Sequence, residues 1–486
     1  MLLPRSNSST APVRRGGAYA SLLLVALALA GCAHQAAYTA KPLSPDKLAV
    51  ALEARTLDDP GLRKFLTENL HQDFSPGQPV TWDFETLCWV AFYYNPTLDV
   101  ARAQWESARA AQISAGARPN PTLTLTPGFS SNPGGASPWI PAVGLDFGLD
   151  PAGQRDRRTE VARLTAEAAR QAVFAAAWQV HADLRRAIND FTFADTRTTA
   201  LRAQLELSQQ ILALLEQRRA AGAASAGDVS AAQLALIRAE SAASDAQSQL
   251  GPARQRVAQL LGVPVTAITG VELHLMTRMN GPYAPELLAA VRRRALQSRA
   301  DVLGALARYA VAESSVALEV ERRSSGLHLG PGYQWDQGQN KWTVAFAFEL
   351  PLFNRNEGPL AEAEAHRHEA AAQLAIVQAQ VLGEIDGAVA AVESAQAQAD
   401  GLRPLQAMLN NQLKQVEARV RAGGADQLEL KNAQLEAAMG TQDCIEANLH
   451  YLQACGPLED ALQQMPIANL DALARPAPTL ASPPKP

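Results

Sequence analysis

Trp342-Thr343-Val344-Ala345-Phe346-Ala347-Phe348-Glu349-Leu350 puts a large apolar side chain at every second position, with small or polar residues between them. A period of two is the mark of a β-strand with one apolar face. Just before it, Leu327, Leu329, Tyr333 and Trp335 oppose His328, Gly330, Gly332 and Gln334. Two earlier segments alternate alike. From Pro121 to Phe129, Leu123 and Leu125 oppose Thr122, Thr124 and Thr126, and from Ala142 to Leu149, Val143, Leu145, Phe147 and Leu149 oppose Gly144, Asp146 and Gly148. Four strands are therefore expected, at 121–129, 139–149, 327–335 and 341–351.

Strands of about 9 to 11 residues cross a bilayer when tilted. Trp139, Trp335 and Trp342 sit near segment ends, where membrane barrels carry aromatic girdles. A four-stranded sheet cannot span lipid alone, because its edges leave backbone groups unpaired and the smallest barrels need about eight strands. Several protomers must share one barrel, and three would supply twelve strands. The competing reading, hairpins of a soluble domain, lacks a nearby core to cover four strands.

Between the hairpins the chain is rich in alanine and low in aromatics, at 6%, which favours long, closely packed helices. Helices are expected over 155–221 and 359–421, each followed by a glycine-containing break and a return helix, 228–261 and 426–463. At 1.5 Å per residue the long pair spans roughly 100 Å each, more than a globular core needs. The halves are a duplication: Gly222, Asp228-Val229 and Ala232-Gln233-Leu234 are answered by Gly423, Glu429-Leu430 and Ala433-Gln434-Leu435, every pair offset by 201. The expected organisation is a leader over 32–80, repeats over 81–264 and 265–465, and a disordered Pro-rich tail over 466–486.

Arg5, Arg14 and Arg15 precede an apolar stretch from Ala18 to Ala30, too short for a membrane helix but suited to a signal-peptide core. It runs into Leu29-Ala30-Gly31-Cys32, which resembles the bacterial lipobox. That resemblance implies removal of 1–31 and attachment of diacylglycerol and N-palmitate to Cys32, a two-chain anchor, with Ala33 directing the product to outer-membrane lipid. No other cofactor is expected. Cys88, Cys444 and Cys455 remain, and the last two, on one helix roughly 16 Å apart, cannot bond to each other. Cys88 pairs with one of them, or all three are buried apolar groups.

The 43 basic and 48 acidic residues give a net charge of -5 without long single-sign runs, so nucleic acid is not an expected partner. No nucleophile elbow, His-Glu-x-x-His, phosphate loop or dinucleotide pattern occurs, and an enzyme is not expected. No metal site is expected either. His366 and His368 point to different sides of a helix, and His328 and His450 lack neighbours at zinc spacing.

Taken in order, Asn95-Pro96-Thr97-Leu98, Leu260-Leu261-Gly262, Arg299-Ala300-Asp301-Val302, Leu350 to Gly358 and the two glycine breaks resemble the TolC-like outer membrane factor family over nearly the whole mature chain. Leu350 to Gly358 is similar to the CzcC-type heavy-metal efflux branch, with related wording in drug-efflux relatives. The resemblance implies a mainly α homotrimer with a twelve-stranded β-barrel continuous with a helical tunnel. It also implies docking to a periplasmic adaptor and an inner-membrane pump, which chooses the cargo, metal ions or drugs. By position, the adaptor-docking tips are Gly222, Asp228, Val229, Gly423 and Leu430. Glu429 matches the acid of the periplasmic constriction, and Asn432 stands where relatives can have a second acid. Two other readings fit part of the pattern: a lipid-anchored helical adaptor, which needs a further β-rich domain, and a structural coiled-coil protein without a pore.

Overall fold

A computed structural model describes residues 39–74, 80–131, 137–151, 153–271, 273–274, 285–324, 326–336 and 338–463. The signal peptide, Cys32 and the Pro-rich tail lie outside the described residues. The chain divides into two compact units, Met1–Ala51 and Leu52–Pro486. In the first, helix α1 (Pro45–Glu53) begins and buries no residue.

The second unit opens with α2 (Pro60–Leu70), strand β1 (Trp82–Asp83), α3 (Phe84–Tyr94) and α4 (Pro96–Gly116). Strands β2 (Thr122–Phe129) and β3 (Trp139–Leu149) follow, then α5 (Gln154–Ala220), α6 (Ala226–Leu261) and β4 (Leu273–His274). The second half runs through α7 (Pro285–Ser298), α8 (Ala300–Glu321), β5 (Leu327–Asp336), β6 (Gln339–Phe348), α9 (Glu357–Arg421) and α10 (Gln427–Leu462).

Two expectations need correction. The leader, given no helix in the sequence reading, contains one: Asp59 accepts from the Leu62 N–H at 2.8 Å, Pro60 sets the first turn, and Leu62 and Leu66, one helical turn apart, are buried. The four long strands are not the only ones, since β1 and β4 form a two-residue parallel ladder, Trp82 opposite Leu273. β6 also stops at Phe348, short of Pro351, which has no N–H for a ladder.

The helix α3 is apolar on every side, and every residue from Thr86 to Tyr94 is buried. It centres the larger core, with Leu62, Leu66, Leu98, Leu184, Ile188, Val257 and Leu261 around it. A second core collects Val291, Val302, Val381, Ile385, Val392 and Leu458. The duplication is repeated in the bonding. Asn95 Nδ2 donates to the Leu260 carbonyl at 2.9 Å, and Arg299 Nη1 to the Ala461 carbonyl at 2.9 Å, so each half pins the head of its short helix to the end of its return helix.

The sheet has the order β2-β3-β5-β6, antiparallel throughout. Its register sets Leu123 opposite Leu145, Val143 opposite Tyr333, Phe147 opposite Leu329, Leu329 opposite Phe346 and Tyr333 opposite Trp342, one apolar face across four strands. The other face carries Gly144 beside Thr124 and Gly332, and Gly148 beside His328. Both long helices start after a left-handed residue, Gly153 at φ 88° and Asn356 at φ 60°. Leaving a strand for a helix here needs positive φ, which glycine and asparagine tolerate best.

Candidate functional site, the hairpin tips and the apolar sheet

At the far end of each helix pair the chain turns in the same way. Gly222 and Gly423 both stand at φ 75°, with Ala223 N–H donating to the Arg218 carbonyl and Gly424 N–H to that of Arg419, each at 2.8 Å. A C-cap of this kind needs a residue without a Cβ strain penalty, which is why glycine recurs at both breaks.

The return helices then start on equivalent residues with different chemistry. Ser225 caps α6 and shares a capping box with Asp228, whose carboxylate accepts from Ser225 N at 2.9 Å and Oγ at 2.7 Å. These bonds hold the Asp228 carboxyl below its ordinary range. Asp426 caps α10, accepting from the Glu429 N–H at 3.0 Å, and it ion-pairs with Arg218 of the first tip. The backbone bond first and Arg218 second depress the Asp426 carboxyl. Glu429 is thereby left free to reach Arg419, at 2.7 Å. Arg218 and Arg419 are repeat equivalents, yet the first reaches across to the other tip while the second stays within its own.

Between the tips lies a groove of about 490 Å³ whose lining includes Ile211, Arg218, Asp228, Leu428 and Asn432. It brings Asp228 and Asn432 together from breaks far apart in sequence. Glu429 does not line it, and the charge expected there is matched by Arg419. Leu430 is half-buried and Val229 is buried at 2% exposure, so Val229 packs the tip from inside and offers a partner no surface. Sequence reading missed Arg218, Arg419 and Asp426. The signal for Asp426 was its place directly before the helix start, where a carboxylate caps free N–H groups.

At the other end, the apolar sheet face is exposed: Leu125, Trp342, Phe346 and Phe348 each present more than half their surface. The aromatic pairs Phe129–Trp139 and Tyr333–Trp342, with ring centroids 5.3 and 4.8 Å apart, sit at the hairpin ends. On the opposite face His328 Nδ1 lies 2.9 Å from Asp146 Oδ2, an ion pair when the ring is protonated. Among the described residues no three His, Cys, Asp or Glu side chains gather to hold a metal, and Cys88, Cys444 and Cys455 are free and buried.

The α9 helix contains a window of mean hydropathy 1.3, apolar enough for a membrane span by composition. Its 65 residues cover roughly 100 Å, about three bilayer cores, and the helix runs along α10 and α8. Only 22% of that window is buried within one protomer.

The model of the outer membrane efflux protein family matches the chain twice, over residues 91–263 and 291–463. The chain belongs to the outer membrane efflux protein family. The two matches are the two halves of the duplication. This protein is a channel of the bacterial outer membrane, of the kind that serves tripartite efflux systems, with a helical tunnel in the periplasm. Channels of this family are homotrimers that work with periplasmic adaptors and inner-membrane pumps.

No curated protein matches the chain significantly. Among solved structures, the outer membrane protein VceC of Vibrio cholerae is 21% identical with a TM-score of 0.63, the match covering 78% of this chain and 95% of that one. CusC is 20% identical at a TM-score of 0.63, covering 80% and 96%. The CmeC outer membrane channel of Campylobacter jejuni is 14% identical at 0.64, covering 81% and 89%. At such identities the likeness establishes the fold.

Proposed function

We propose that three copies of this efflux protein close their four-stranded sheets into one twelve-stranded barrel above a common helical tunnel, a passive duct from periplasm to exterior. The observation that carries this reading is the sheet itself: one apolar face in register over four strands, with β2 and β6 as open edges among the described residues. Lipid supplies no hydrogen bonds, so each edge must meet the next protomer's. Diacylation of Cys32 gives a second hold on the membrane. The groove lined by Asp228 and Asn432 suits an adaptor hairpin, and Glu429 of each copy, held by Arg419, frames the periplasmic mouth. Cargo, metal ions or drugs, is set by the pump that the duct serves.

The test is a cysteine pair placed on β2 and β6, oxidised in outer membranes. Covalent ladders ending at the trimer support the shared barrel. Failure to link, together with release of a Cys32→Ala variant into the soluble fraction, would favour a pore-less lipoprotein.

A further inference from the structure

Leu350 to Gly358, the stretch between β6 and α9, has a division of labour that the barrel alone does not explain. Its polar half is moored. Asn354 Oδ1 accepts from Asn356 N–H at 2.9 Å, and Asn356 Nδ2 donates to both the carbonyl and the carboxylate of Glu319 at 2.8 Å, at the end of α8. Its apolar half is displayed. Leu350, Leu352 and Phe353 are 60, 69 and 102% exposed, in a turn closed by Leu352 N–H on the Leu350 carbonyl at 2.8 Å.

This turn extends the apolar sheet face beyond Phe348, at the strand ends nearest the long helices. Among the described residues that end has no Trp or Tyr. Trp139, Tyr333, Trp335 and Trp342 cluster toward the hairpin ends, whereas the strands finish here on Leu149, Leu327 and Phe348. Membrane barrels carry interfacial aromatics at both boundaries. Arg355, beside the turn, and Arg323, at the end of α8, are exposed and make no ion pair among the described residues. The equivalent turn of the first half, Asp150-Pro151 leading to Gly153, carries no large apolar residue, so there is one such turn per protomer.

We propose that Leu352 and Phe353 enter the periplasmic leaflet of the outer membrane as an interfacial anchor, with Arg355 on an anionic phospholipid phosphate. A fixed turn displaying two large apolar groups is stabilised by lipid, and a cation beside it complements the headgroup charge. The proposal rests on the shared-barrel reading, and its test separates the two.

The photocrosslinker p-benzoylphenylalanine replaces Phe353, or Val344 on the sheet's apolar face, in the full lipoprotein reconstituted into vesicles of phosphatidylethanolamine and phosphatidylglycerol. The expected result is a phospholipid adduct at both positions. At 353 the adduct favours phosphatidylglycerol, and Arg355→Ala reduces that preference about fivefold, the worth of one arginine at an anionic surface. A covalent link between protomers at 353, with lipid still captured at 344, overturns the anchor and makes the turn a subunit contact. No adduct at 353 overturns it too, and an unchanged headgroup preference removes the phosphate from it. Loss of the lipid adduct at 344 overturns the barrel reading itself.

Discussion

Arg185 of α5, 1% exposed, donates to Glu459 of α10 at 2.7 Å and to the Gly456 carbonyl at 2.7 Å, and also contacts Asp460, so the first repeat is fastened to the second through a buried cation. Gly456 makes the space, since a Cβ there would stand 3.3 Å from Arg185 Nε. Burial raises both carboxyls, and the Arg185 cation opposes it. Arg185→Met leaves two carboxylates beside apolar surface and is expected to cost about 3 kcal/mol, seen as a lowered denaturant midpoint. Replacing Glu459 and Asp460 by Met and Leu in the same chain should recover most of the loss.

His181 sits one turn before Arg185, stacked on Trp178 at 4.8 Å and edge-on to Phe84 at 4.9 Å, with Nδ1 unbonded. Burial, helped by Arg185, pushes its pKa down to about 3. The unfolded chain therefore takes up a proton below pH about 6.5 that the folded chain refuses, and stability is lost as pH falls. From pH about 7 to about 5 the loss is about 2 kcal/mol. Glu459 and Asp460 act in the opposite sense, and comparing His181→Phe with wild type cancels them. Thermal melts at the two pH values should differ less in the variant by this amount.

Gly262 and Gly222 share a backbone conformation and differ in surroundings. Gly262 is at φ 74° and a Cβ would lie 2.6 Å from the Tyr94 carbonyl oxygen, whereas Gly222 at φ 75° has nothing within 4 Å. Gly222→Asn is expected to cost under about 1 kcal/mol, because asparagine tolerates the left-handed region. Gly262→Asn adds a clash with fixed backbone and should cost at least about 3 kcal/mol in the same chemical melt.

The contrast explains what was legible in the sequence. Positive-φ glycines, the period of two in Val344 to Phe348 and the length of the alanine-rich helices are local signals, and the fold follows from them. Arg185, His181 and the Arg218–Asp426 pair have no such signature. Arg185 and Arg218 find their partners in the other repeat, where only the register of α5 against α10 decides which charges meet, and His181 meets Phe84 of α3. The leader helix α2 was hidden for another reason: eleven residues with one buried stripe look irregular between Pro60 and His71 unless the core that holds Leu62 and Leu66 is known.

Arg218 and Asp426 tie the two hairpin tips of a protomer, with side chains 35% and 55% exposed. A pair so wet is worth under about 1 kcal/mol, too little to affect folding. If the tunnel opens by separating the tips, the same energy shifts the open population up to about fivefold. Arg218→Ala should raise single-channel open probability in planar bilayers without moving the melting temperature. Because the Asp426 carboxyl is depressed, mild acid should not reproduce the effect. An unchanged open probability would leave the pair a surface ornament.

Phe346 and Ala345 are neighbours in β6 on opposite faces of the sheet, Phe346 opposite Leu329 and Ala345 opposite Gly330. In the shared barrel the first meets lipid and the second the lumen. Arginine at a lipid-facing mid-membrane position costs about 2–4 kcal/mol, repeated in every protomer. Phe346→Arg is therefore expected to abolish heat-stable trimers in the outer membrane. Ala345→Arg should leave trimers intact and place three cations around the water-filled bore, turning the reversal potential in a salt gradient toward anions. One residue of displacement along the strand thus separates failed assembly from altered selectivity. Equal effects at both positions would mean that the apolar face packs on protein, and the barrel would have to be given up.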